Sequence, residues 1–192
     1  MFLLILGLVI FLGAHSLRIF AEPWRTRQRE RFGELRWKGI VSLVSLAGFA
    51  LLCWGFGIAR ADPVVVWVPP PWTRHLAALL VLFAFILLAS AEVKGTRIKA
   101  AIGHPMTVGV KVWALAHLLA NGTLADMILF GSFLAWSILA FARARRRDRA
   151  AGTVYPALGL GRDVAAVVIG VVAWAVFARY LHLWLIGVSP LA

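Results

Sequence analysis

The sequence predicts an all-α fold, a polytopic membrane bundle of about six transmembrane helices with both termini outside. Three observations carry that expectation. Of the 192 residues, 62% are hydrophobic and the mean hydropathy is +0.88, more apolar surface than a soluble domain of this size can hide. Apolar stretches of membrane-crossing length follow one another with only short loops between them, which reads as one domain over residues 1–192. The basic residues also gather in alternate loops.

A bilayer core of about 30 Å needs about 20 helical residues. Residues 1–20 form the first candidate span. They lack the basic leading region of a signal peptide and precede a basic loop, so they read as a retained helix. Residues 40–58 form the second. The third, 76–91, follows Pro69, Pro70 and Pro71, a run that interrupts helix. The fourth, about 107–120, is shorter than average and is opened by Pro105 near a first-turn position. Asn121 and Gly122 then give a helix stop and a tight turn, so the fourth and fifth spans, 107–120 and 126–141, make an antiparallel hairpin. The sixth covers 164–188.

Charge orients these spans. The net charge is +12, and most of the 20 Lys and Arg residues lie in 25–38, 94–99 and 143–162, the loops after the first, third and fifth spans. That is the positive-inside pattern, not the footprint of a nucleic-acid binder. It puts those loops in the cytoplasm and both termini outside. Arg143 to Arg149 are also placed to meet anionic lipid headgroups. Cys53 is the sole cysteine, which excludes an intrachain disulfide and a cysteine-based metal site.

Two histidines inside the apolar segments draw the chemistry. An ionisable group in hydrocarbon is costly unless paired, wet or metal-bound. His15 lies near the cytoplasmic end of the first span, with Arg18 one turn closer to the headgroups, where it can snorkel. A bond to a neighbouring helix would satisfy a neutral His15 equally well. His117 shares one helical face with Trp113 and Asn121. A ligating imidazole needs its second nitrogen bonded to fix the tautomer, while Asn121 also suits a plain helix C-terminus. His104, before Pro105, reads as a capping or interfacial residue, and Lys111 follows two turns later at nearly the same angle. His75 and His182 look interfacial.

Two neutral imidazoles from facing helices suit axial ligation of haem iron amid apolar side chains. They suit zinc poorly, which takes four protein ligands, or three and water. A proton relay usually recruits Asp or Glu within the spans, and none lies mid-span here. Arg18 and Lys111, both in the cytoplasmic half, can meet haem propionates. Depth is the objection: His15 lies roughly 7 Å above Phe20, and His117 roughly 15 Å above Thr107.

The segments Gly13-Ala14-His15-Ser16-Leu17-Arg18, His104-Pro105-Met106 with Gly109, Trp113 through Gly122, and Leu129-Phe130-Gly131-Ser132-Phe133 resemble those of the NnrU family. That family includes the plant and cyanobacterial zeta-carotene isomerases. The resemblance spans nearly the whole chain and implies a multi-pass protein of the bacterial inner membrane. From the isomerase branch it implies haem b held by His15 and His117. That branch has a cysteine three residues before the second histidine, held to exchange as ligand on reduction, and Ala114 stands there in this chain. The bacterial branch is associated with denitrification, specifically with nitrite and nitric oxide reduction.

Three functional expectations follow. The first is a membrane haem protein linked to nitrogen-oxide metabolism, as sensor, electron carrier or assembly factor, with nitric oxide as a partner. The second is an enzyme, a haem-dependent cis–trans isomerase of an apolar polyene entering from the bilayer. The third is a haem-free structural or transporter-like bundle in which the two histidines only bridge helices.

Overall fold

A computed structural model describes residues 1–191. It is helical, with an isolated bridge between Val65 and Thr123 as the single β pairing among the described residues. The elements are α1 (Phe2–Phe20), α2 (Glu22–Phe32), α3 (Glu34–Ala61), α4 (Trp72–Glu92), α5 (Arg97–Ile102), α6 (Pro105–Ala120), α7 (Leu124–Ala151), α8 (Leu160–Val176), a π-helical turn (Phe177–Leu181) and α9 (His182–Ile186). Five segments are long and apolar enough to cross a membrane: α1, α3, α4, α7 and Leu160–Ile186. The apolar α6 is shorter, at 16 residues. The predicted spans thus appear as helices, with α3 and α7 reaching further into the basic loops. Those loops also carry two helices that the apolar pattern left out, α2 and α5.

The chain forms two compact units, Met1–Trp67 with Gly122–Trp136, and Val68–Asn121 with Ser137–Ala192. In the first, α1 and α3 run antiparallel in backbone contact. Gly55 lies against Leu4, Gly7 against Leu52, and Gly48 against Phe11, each with no room for a Cβ. Close approach of this kind needs small residues, because lipid supplies no hydrophobic drive between helices. The first part of α7 adds Phe130 against Phe56 and Phe133 against Phe11. Its start is a reciprocal cap. Thr123 donates from Oγ1 to the Asp126 carboxylate at 2.6 Å, and the Asp126 N–H donates back to Oγ1 at 3.3 Å.

In the second unit, α4 packs on α6 and α8. Gly109 meets Ala84 and Leu88, and Gly170 meets the backbone of Ile86. The 93–104 loop is held by specific bonds. Thr96 caps α5 by accepting from the Lys99 N–H at 3.0 Å, the Arg97 N–H donates to Asp163 at 2.8 Å, and the Leu158 N–H donates to the Gly95 carbonyl at 2.8 Å.

Candidate functional site

On α1, the His15 Nδ1–H donates to the Phe11 carbonyl at 2.7 Å. This is the carbonyl one turn back, which a helix leaves within reach of a ring at its last turns. The ring lies over Phe11 at 4.4 Å and meets the edge of Trp136 at 6.1 Å. The Trp136 indole nitrogen is buried with no hydrogen-bond partner, a costly state that a bound acceptor would relieve. His15 itself is exposed and lines a cavity of about 350 Å³ with Arg18, Arg25, Arg29, Glu34, Trp37 and Lys38. Within this unit Arg25 pairs with Glu22 at 2.8 Å, and Glu34 holds both Lys38 at 2.8 Å and Arg29 at 3.2 Å. Trp24 packs edge-on against Trp37, which is buried.

On α6, in the second unit, the same device recurs. The His117 Nδ1–H donates to the Trp113 carbonyl at 2.8 Å, and the two rings stack at 5.1 Å. The Asn121 side-chain amide donates to the His117 carbonyl at 2.8 Å, closing the helix end. The tautomer-fixing partner of His117 is therefore a backbone carbonyl, and Asn121 bonds the backbone of His117 instead. His117, Trp113 and Asn121 line a cavity of about 400 Å³ with Arg74, Phe85, Trp174 and His182. Lys111 holds its ammonium 3.8 Å from the centre of the Phe141 ring, a cation–π contact.

His104 caps nothing with its side chain. Its Nε2 lies 2.8 Å from Asp148 Oδ2, and the Tyr155 hydroxyl donates to both Asp148 oxygens at 3.2 Å. Gly103 (φ +79°) makes the turn before it, where a Cβ would press on Arg145. The sequence signal was Asp148, the one acid among the arginines of Arg143 to Arg149. His182, expected at the interface, donates from Nδ1 to the Val188 carbonyl at 2.6 Å and lines the second cavity.

A bonded Nδ1–H fixes the tautomer and the orientation of each ring. Among the described residues no three His, Cys, Asp or Glu gather as metal ligands.

A search of curated proteins and one of solved structures return no match for this chain. The sequence model of the family described as NnrU protein matches residues 3–190. Nearly the whole chain is covered, and its apolar helices are those of a multi-pass protein: it is a membrane protein of the NnrU family.

Proposed function

We propose that this protein binds haem b in the bacterial inner membrane, that His15 and His117 would hold it, and that it serves nitrite and nitric oxide reduction. One observation supports the reading most: both histidines donate Nδ1–H to the carbonyl four residues back, at 2.7 and 2.8 Å. Each ring is thereby fixed in tautomer and orientation, as a ligating imidazole requires. Haem, once bound, would supply one-electron chemistry, and nitric oxide would reach the iron only by displacing one imidazole. The chain's own part is to hold the rings, exclude water with Phe11, Trp113 and Trp136, and set positive charge near the propionates. Arg18 keeps company with Arg25 and Lys38 around the cavity of His15. Lys111 contributes its charge from its seat on Phe141.

The second reading, isomerisation of an apolar polyene, draws support from the largely apolar cavity beside His117. Against it stands Ala114, fully buried where the isomerase branch carries its exchanging cysteine.

The test is absorbance of the detergent-purified protein, oxidised and then dithionite-reduced. A Soret band with sharp reduced α and β bands is expected, shifting when nitric oxide is added. His15→Ala and His117→Ala should each lose most of the haem, and His104→Ala should keep it. Full haem retention in the first two variants would overturn the ligand assignment. A featureless spectrum after haem supplementation would leave the haem-free bundle.

A further inference from the structure

The cavity of the second unit is long and polarised. On α4 its wall runs from Arg74 to Leu88, and on α6 from Gly109 to Asn121; at 1.5 Å per residue these lengths are about 21 and 18 Å. The helices are antiparallel, because Gly109 lies against Leu87 and Leu88 near the end of α4. Asn121 therefore shares the Arg74 end. Asp163, at the start of α8, bonds the Arg97 N–H just beyond α4, so α8 also returns toward Arg74 and brings His182 and Ser189 there. The polar lining collects at one end, and Val81, Phe85, Leu88 and Val110 line the rest.

The cavity holds about 400 Å³ between walls about 20 Å long, room for an extended hydrocarbon chain. Arg74 is exposed and makes no ion pair among the described residues, so the head-group end offers one uncompensated cation. The π turn Phe177–Leu181 immediately precedes His182, and such turns mark functional sites more often than ordinary helix does.

We infer that this cavity is a binding site for a single-chain amphiphile with an acidic head, a long-chain carboxylate, its head on Arg74 and its tail between α4, α6 and α8. The inference goes beyond the haem reading and does not require it. A plain hydrocarbon would leave Arg74 and the polar end without a partner.

The experiment uses the full-length purified protein and a photoactivatable diazirine fatty acid, with labelled peptides mapped by mass spectrometry. Saturable labelling of α4, α6 and α8 in the second unit is expected, displaced by oleate at least ten-fold better than by oleyl alcohol or dioleoyl phosphatidylglycerol. Arg74→Gln should abolish that preference, and Ala78→Phe, which fills the cavity, should abolish the labelling. The haem-free His15→Ala protein should label as the parent does, which separates this inference from the haem reading. Three outcomes overturn it: non-saturable labelling spread over all lipid-facing helices, equal displacement by the alcohol and the acid, or loss of labelling on haem loading, which would make the cavity the cofactor's own.

Discussion

The two units use one packing device to opposite ends. In the first, α1 and α3 touch backbone to backbone at three levels, through Gly55, Gly7 and Gly48, and the seam closes along its length. His15 is left on the outside, beside a basic pocket at the end of the pair. In the second, α4 receives a single glycine from each neighbour, Gly109 at Ala84 and Gly170 at Ile86. Both contacts fall just past the middle of α4. Toward Arg74 no further glycine draws the helices together, and the elongated cavity lies along their walls. Three glycine levels close the first seam, whereas one glycine from each neighbour leaves room for a cavity that runs along α4 past the contact itself.

The largest expected effect comes from the seam. Gly55→Leu drives a side chain into the Leu4 backbone and should lower stability by about 3 kcal/mol or more, read as thermal unfolding in detergent. Gly13→Leu, with nothing within 4 Å of its added Cβ, is the control and should melt near the parent. Equal melting of the two variants would deny that the seam is backbone-limited. Gly170→Leu should cost about 2 kcal/mol, since its Cβ would press on the Ile86 backbone less severely than that of Gly55 on Leu4. A wild-type melting curve there would mean that α8 is not pinned to Ile86.

Smaller effects sharpen the comparison at the polar ends. Asp148→Asn removes the carboxyl oxygen that meets His104 and Tyr155, partly buried at 13% exposure, and should cost about 1–2 kcal/mol. Thr123→Ala loses the cap of α7 and should cost about 1 kcal/mol; hydrogen exchange should quicken first at Leu124 and Asp126. Arg25→Gln breaks the half-buried pair with Glu22 and should change stability by about 1 kcal/mol, an effect that salt weakens.

The spans were legible because apolar length is written directly in the sequence. Their ends were less so. The helix α7 begins at Leu124 instead of 126 because Thr123 and Asp126 cap each other, a local motif readable in hindsight. The pair of His104 and Asp148 could not be read, since 44 residues separate partners joined only by the fold. The same holds for α2 and α5, polar helices without an apolar stripe to announce them. For the candidate site, His15 and His117 stood out by being polar in apolar runs, and their bonds to Phe11 and Trp113 follow from helix geometry. His182 was missed because a π turn and the Val188 carbonyl, both tertiary facts, set its position.

One consequence follows from the length of α6. Sixteen residues span about 24 Å, some 6 Å short of a typical hydrocarbon core of about 30 Å. If α6 crosses, the lipid beside it has to dip inward, or neighbouring protein has to shield the helix ends at His104 and Asn121. A cost of a fraction of a kcal/mol per Å of mismatch then favours thin, short-chain bilayers and favours self-association where the membrane thickens.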